Sequence, residues 1–533
     1  MPRLLCAVVT RKRIAVFSGP NATITNSPTL VTSNKGRLPT DPKLPGRFDH
    51  LVPQELYEPV VVRIKRFSAH PLEEDAAAVY HDPGPPYYEV ELRPEDGPYP
   101  LPYVARRADG SPEGVPFEDA DLEDVALGYG QFYYSDVSRL FVEIDRTIAG
   151  REEDGGGSPL DRRAEYDFIR ALPSGGYRAR GEVSGKDYFP YKPYPIGHRP
   201  RYRDLAVATN KVQTTLAGGK YVGGIWLEAS PTLEETLYWL SLLIDTDLPI
   251  VGNASQRPHG QLGNDGDRNI ADAVDYILTG ERLGVIAIQE ERIFAAREFK
   301  KADDRPGNYK ATGGHGGILG SVGPPVTIWY KPAYKHTTTS EVNLDRLTAE
   351  VEFLDRASDR TPTRVRVKDT DGGLLPEVMP RVHIVKYGAY MDEDGTDNPD
   401  DEVDIMARID RGLNQEQPHD GGLPFHGFVF EGLSPYAVGS GSQREAFAIA
   451  AFSGMPVVCV GRADPGGMVP PGRWPYAIGG SNLDTNKARL LLMASMLKLG
   501  RLPKAKDPRG PTSAEREALL AKVAEYQQVF DVH

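Results

Sequence analysis

The sequence predicts an α/β protein of two domains with parallel-sheet cores, and three observations carry that prediction. Short, wholly apolar runs alternate with helical stretches across residues 221–300 and again across 376–498. The runs are apolar on both faces, as strands covered on both sides require. Strong helix-start chemistry follows the first of them. The expected organisation is a larger N-terminal domain over 1–335, carrying an irregular insertion at about 46–203, then a linker with extra strands over 336–375 and a smaller C-terminal domain over 376–533.

Taken in order, Arg13-Ile14-Ala15-Val16-Phe17-Ser18-Gly19 is a buried strand that discharges into a turn at Gly19-Pro20-Asn21. Residues 26–45 are rich in Ser, Thr, Asn, Gly and Pro without periodicity, the pattern of a long loop that can serve as a lid. From about 46 to 203 the composition turns to Tyr, Pro and charge, with helical periodicity only from Val137 to Ile148. Its aromatic-basic end, Tyr188 to Arg203, fits tyrosines packed across a neighbouring surface better than a nucleic-acid groove.

Order returns with a strand at Tyr221 to Leu227. Ser230 then stands as N-cap, Pro231 at the first helical position and Glu234-Glu235 in the first turn, starting a helix that runs to about Ile244. Leu248 to Gly252 is the next strand, Asn269 to Leu278 a helix, and Leu283 to Ile288 a strand. The pattern resumes with strands at Arg381 to Val385, Gly427 to Glu431 and Pro456 to Val460. Helices are expected from about Gln443 to Phe452 and Thr485 to Lys498, and an amphipathic tail helix from Ser513 to Phe530.

Composition excludes several function classes. The charge sum, 62 − 75 = −13, leaves no global attraction for DNA, RNA or anionic lipid. No run approaches the length of a membrane span, and Arg11-Lys12-Arg13 interrupts the apolar start before it reaches signal-peptide length. Cys6 and Cys459 are the only cysteines, too few for a disulfide scaffold and without zinc-ligand spacing. The scattered histidines, among them His259, His315, His336, His419 and His426, lack metal-site spacing, so no metal is expected. Gly313-Gly314-His315-Gly316-Gly317 lacks the Gly-Lys-Ser/Thr ending of a phosphate loop and reads as a flexible loop. The glycine triplet of a dinucleotide fingerprint is missing after the first strand, so no cofactor is expected. A cytoplasmic protein fits these features.

In an open parallel sheet, ligands bind beyond the carboxyl ends of the strands. Thr23 follows the first strand, Ser230 sits between strand and helix, and Lys301 lies in the loop after the strand that ends near Ile288. A hydroxyl becomes a nucleophile when a base takes its proton, and a lysine of lowered pKa can do so, which makes Ser230 and Lys301 a candidate pair. On local pattern alone Ser230 equally serves as a helix cap, Lys301 as a solvated charge beside Lys300, and Thr23 as a turn residue.

At these residues the chain resembles the bacterial-type L-asparaginase/glutaminase family. Ser18-Gly19-Pro20-Asn21-Ala22-Thr23-Ile24-Thr25 is similar to the family's Thr-Gly-Gly-Thr-Ile-Ala, and Glu228-Ala229-Ser230-Pro231-Thr232-Leu233-Glu234-Glu235-Thr236 to its His-Gly-Thr-Asp-Thr-Met-Glu-Glu-Thr. The second of these stretches begins at Leu227, and the likeness continues through Ala254-Ser255-Gln256-Arg257-Pro258, Asn264-Asp265-Gly266 with Asn269, Ala296-Arg297-Glu298-Phe299-Lys300-Lys301 and Lys335-His336-Thr337. It ends with a second-domain stretch from Gly427 to Lys498.

The resemblance implies an amidohydrolase in which Thr23 is acylated while Ser230 and Lys301 handle protons, with backbone N–H groups holding the oxyanion. It also implies substrate contact at Ser255 and Gln256, and a homodimer or homotetramer whose sites are roofed by the partner's second domain. Two departures bear on specificity. Pro231 stands where the family has the aspartate that grips the substrate's α-ammonium, and no tyrosine occurs in the lid between Thr25 and Asp41. The expected substrate is therefore an amide other than plain asparagine. The competing expectation is a non-catalytic binding or structural protein on the same fold.

Overall fold

The computed structural model describes residues 12–19, 30–32, 51–54, 60–65, 87–92, 99–102, 133–135, 164–170, 201–228, 230–256, 265–305, 307–312, 314–332, 340–353, 363–388, 397–414, 426–462 and 468–533. Thr23, Cys6, Pro20 and Asn21 of the first turn and the Val137 to Ile148 stretch lie outside them.

The first strand, β1 (Lys12–Ser18), lies one place in from the edge of an eight-stranded sheet. Six short strands follow: β2 (Leu30–Thr32), β3 (Leu51–Gln54), β4 (Val60–Lys65), β5 (Tyr87–Leu92), β6 (Tyr99–Pro102) and β7 (Tyr133–Ser135). They form a separate four-stranded sheet, in the order β2-β7-β4-β5, and a β3-β6 pair. The next strand, β8 (Ala164–Arg170), rejoins the main sheet parallel to β1, so the stretch expected to be wholly an insertion supplies one of the sheet's own strands.

Helix α1 (Tyr202–Ala217), β9 (Gly223–Glu228), α2 (Ser230–Leu243), β10 (Ile250–Ala254), α3 (Gly266–Thr279) and β11 (Val285–Gln289) then alternate. Strands β8, β1, β9, β10 and β11 are all parallel. Beyond β11 the sheet turns antiparallel through β12 (Arg292–Ala295), and after the hairpin β13 (Phe299–Lys301) and β14 (Tyr309–Ala311) it finishes with β15 (Ile318–Val322) and β16 (Val326–Ile328). The sheet is thus mixed, not purely parallel. The turn that reverses it carries Glu290 and Glu291 at φ 51° and 63°, a left-handed pair that a hairpin demands and that glycine or asparagine usually supplies. The glycines at 314–317 form one 3₁₀ turn between β14 and β15, not an open loop.

The two faces of the sheet bury different side chains of the same strands. Ile14, Val16, Ile225 and Val251 meet α3 through Ile270, Val274 and Ile277, while Ala15, Phe17 and Trp226 meet α1 and α2 through Val212, Leu233 and Leu237. Helix α2 is apolar around most of its surface because its far side is covered as well: Tyr238, Trp239 and Leu242 join a core that includes residues of the chain's last two helices.

After the pair β17 (Glu350–Phe353) and β18 (Thr363–Arg366), a second sheet is built from β19 (Arg381–Lys386), β20 (His426–Gly432), β21 (Val457–Gly461) and β22 (Ile478–Gly479), all parallel. Helices α4 (Val403–Asn414) and α5 (Gly441–Phe452) cover one face of it, and α6 (Thr485–Leu499) and α7 (Ser513–Asp531) the other. Helix α5 starts with a capping box of Ser440 and Gln443, and α7 with one of Thr512 and Glu515, so both starts are fixed by side chains that satisfy otherwise orphaned N–H groups. Cys459 is a free, fully buried thiol whose pKa burial pushes up. No helix among the described residues is long and apolar enough to cross a membrane.

Candidate active site

Strand order fixes where a site can form. From β1 the chain passes to β8 on one side, and from β9 it runs outward through β10 and β11 on the other. The order therefore reverses between β1 and β9, and such a switch point opens a crevice at the strands' carboxyl ends. Gly19 leaves β1 there, and its N–H donates to the Leu227 carbonyl at 2.7 Å. Its α-carbon packs so closely on the buried Glu228 carboxylate that an added Cβ would overlap it. The backbone four residues before Thr23 is thus pinned to the backbone three residues before Ser230.

Ser230 opens α2 and is buried. Its hydroxyl lies 2.8 Å from the phenol oxygen of Tyr309, so it bonds to a side chain on a distant hairpin. Lys301 closes β13, across the hairpin from Tyr309, and not the loop directly after β11. Its ammonium donates to the carbonyls of Arg305, at 2.5 Å, and Gly307, and it sits over the Tyr309 ring, 4.7 Å from the centroid. Ser230 and Lys301 are therefore brought to one aromatic ring but are not hydrogen-bonded to each other. Burial holds the Lys301 pKa below the ordinary lysine value, partly offset by Asp303, Asp265, Glu290 and Asp304. Burial pushes the Tyr309 phenol well up, so it stays protonated.

Ser255 and Gln256 leave β10 at the same end of the sheet. The Ser255 hydroxyl donates to Asp265 at 2.9 Å, and the Gln256 amide donates to the Asp304 carbonyl, tying the β10 exit to the loop after Lys301. The Gln256 side-chain oxygen is buried and has no hydrogen-bond partner among the described residues.

The Lys301 hairpin is anchored from below by charge. The Lys301 N–H donates to the Glu234 carboxylate of α2 at 2.7 Å. Lys487 of α6 is buried, and its ammonium donates to the Arg297 carbonyl at 2.5 Å and the Phe299 carbonyl at 2.6 Å. Around it, burial pushes the Glu234 carboxyl up. Asp484 and Glu298 are held below their ordinary values despite burial, Asp484 chiefly by Lys487 and Glu298 chiefly by Arg297. Tyr309 and Lys487 are the residues that sequence reasoning missed. The only signal for either was indirect: an isolated aromatic after Gly307-Asn308, and a lysine on the first turn of a helix rich in Leu, Met and Ala. Among the described residues no group of three or more His, Cys, Asp or Glu is arranged to hold a metal.

Residues 201–307 match the family model described as asparaginase, N-terminal. A glutaminase-asparaginase from Acinetobacter glutaminasificans is 32% identical over 128 residues, which is 24% of this chain and 38% of that protein. An L-asparaginase from Bacillus licheniformis is 32% identical over 152 residues, 27% of this chain and 47% of that one. The matched stretch thus spans less than half the length of these relatives. A solved structure, the probable cytoplasmic L-asparaginase from Campylobacter jejuni, covers 74% of this chain and 91% of its own at 17% identity and a TM-score of 0.48.

Proposed function

We propose that this chain, whose residues 201–307 match the asparaginase N-terminal family model, is an amidohydrolase that cleaves a carbon–nitrogen amide bond by way of an acyl-enzyme on Thr23. The observation that carries the reading is the switch point: β1 and β9 are parallel neighbours, and Gly19, four residues before Thr23, is hydrogen-bonded to Leu227, three residues before Ser230. Supporting it, Ser230 and Lys301 share one tyrosine ring at the same end of the sheet. The relatives' names, glutaminase-asparaginase and L-asparaginase, give the substrate class from which this one departs.

In the proposed reaction Thr23 attacks the amide carbon, its proton passing toward the group around Ser230 and Lys301. The amine leaves protonated, and water then releases the acid. Pro231 has neither charge nor N–H to offer where the family has an aspartate, so the substrate is an amide, imide or lactam without a free α-amino group. Ser255 and Gln256 contribute to its seat, and the working form is a homodimer or homotetramer in the cytoplasm. A panel of small amides, imides and lactams tests this. Turnover that disappears in Thr23→Ala is expected, whereas undiminished turnover in that variant sinks the mechanism.

One observation favours a second reading, a non-catalytic binding protein: the Lys301 ammonium is capped by two carbonyls and not by Ser230. A lysine that titrates at its ordinary value, in a chain silent across the panel, decides for that reading.

A further inference from the structure

Resting on the reading of Ser230 and Lys301 as the proton-handling groups, we propose that Tyr309 is the positioning residue of this site. Its hydroxyl fixes the Ser230 Oγ, and its ring face seats the Lys301 ammonium. The ring itself is held in place. Tyr309 is 4% exposed and stacks on Phe299 with centroids 4.6 Å apart and planes 15° from parallel. Phe299 in turn packs at 5.5 Å against Phe294 of β12. Strand pairing places Lys301 directly opposite Tyr309, which brings the ammonium over the ring.

Packing explains the ring but not the hydroxyl. A phenylalanine would stack on Phe299 equally well, yet the phenol oxygen lies 2.8 Å from the Ser230 Oγ, the hydroxyl that opens the helix after β9. Because the phenol stays protonated, it can donate to Ser230 Oγ and leave the serine's own proton to be passed on. The ring face meanwhile favours a cation by its quadrupole. One rigid side chain thus sets both the rotamer of the serine and its separation from the lysine, a second-contact role of the kind that fixes reacting groups in productive geometry. The carboxylates that act on the pair are Glu234 of α2, Asp265 before α3, Glu290 of the β11–β12 turn, and Asp303 and Asp304 of the hairpin loop.

The test separates hydroxyl from ring in the full chain. Tyr309→Phe keeps the ring, and Tyr309→Leu keeps apolar volume without it. The readouts are kcat and KM on a turned-over amide against pH, thermal unfolding, and the titration of the Lys301 side chain by 15N-detected NMR, assigned with Lys301→Arg. Tyr309→Phe is expected to lower kcat about tenfold at unchanged KM, the loss of one hydrogen bond, with the Lys301 titration unmoved. Tyr309→Leu is expected to lower the Lys301 midpoint by about half a pH unit, with the lysine-dependent limb of the pH profile following it.

Wild-type kcat in Tyr309→Phe overturns the hydroxyl role, and an unmoved Lys301 midpoint in Tyr309→Leu overturns the ring role. If Tyr309→Leu does not fold, the kcat of Tyr309→Phe decides alone. Activity retained in Thr23→Ala overturns the Thr23 mechanism instead, and activity absent from the wild type overturns the amidohydrolase reading. The Lys301 titration then decides the positioning role without any turnover.

Discussion

Replacing Lys487 by methionine should lower the stability of the chain by about 3–5 kcal/mol, the range for removing one partner of a buried charge network. Methionine fills nearly the same volume, so no cavity contributes and the loss is electrostatic. Lys487 is 1% exposed, and its ammonium serves the carbonyls of Arg297 and Phe299 while facing Asp484, Glu234 and Glu298. Without it two buried acceptors lose their donor, at about 1–3 kcal/mol each. The three carboxylates also lose a common counter-charge. These two costs overlap, so the network range is the expected total. Thermal unfolding should then shift down by roughly 6–20 °C, at about 2–4 °C per kcal/mol for a domain of 150–250 residues. Because Arg297 and Phe299 flank the turn that leads into β13, amide turnover should fall further than the folded fraction at 25 °C explains. Circular dichroism melts at pH 7 and the amide assay read both effects. A variant within about 0.5 kcal/mol of wild type would refute the reasoning, since surface-like substitutions stay in that range.

Two further outcomes follow from buried groups elsewhere in the main sheet. Asp272 of α3 is 1% exposed, and burial raises its carboxyl from 3.8 to about 7 despite Arg268, whose Nε lies 2.8 Å away. Its folded pKa lies above the unfolded one, so its contribution is fully present below about pH 4 and is lost as pH rises through about 7. The stability of Asp272→Asn relative to wild type should therefore grow by about 2–4 kcal/mol between pH 5 and pH 8 in urea titrations, and a flat difference rejects the shift. Gly252 of β10 faces Leu237 of α2 with no room for a Cβ, so Gly252→Ala should cost about 1–3 kcal/mol by overpacking and displace the helix that carries Ser230. Loss of stability should come with loss of turnover, and an unchanged melt would show that Leu237 moves aside freely.

The parallel half of the main sheet was legible because its strands are buried on both faces and so read as unbroken apolar runs: Ile225-Trp226-Leu227, Ile250-Val251 and Val285-Ile286-Ala287-Ile288. The antiparallel half was not. Its reversal passes through Glu290-Glu291, residues without turn chemistry of their own. The conformation is held by tertiary bonds, the Glu290 N–H to Asn269 and the Glu290 carboxylate to the Asn308 N–H. Strand β8 escaped for a different reason. It sits at the sheet edge and alternates polar with apolar residues, Glu165-Tyr166-Asp167-Phe168, inside a stretch whose overall composition is Tyr, Pro and charge.

The candidate site divides along the same line. Ser230, Ser255 and Gln256 stand at ends of legible parallel strands, so their convergence follows from topology. Lys301 belongs to the illegible part, a three-residue strand whose place depends on contacts far away in sequence. The Glu234 carboxylate holds its N–H, Lys487 holds the carbonyls before it, and Tyr309 underlies its ammonium. Phe299 and Tyr309 pack this short hairpin into the core, and polar and charged anchors from α2 and α6 add to that packing in fixing the lysine. Local pattern shows where the chain can carry a reactive hydroxyl; only the assembled charge network determines where the amine stands relative to it.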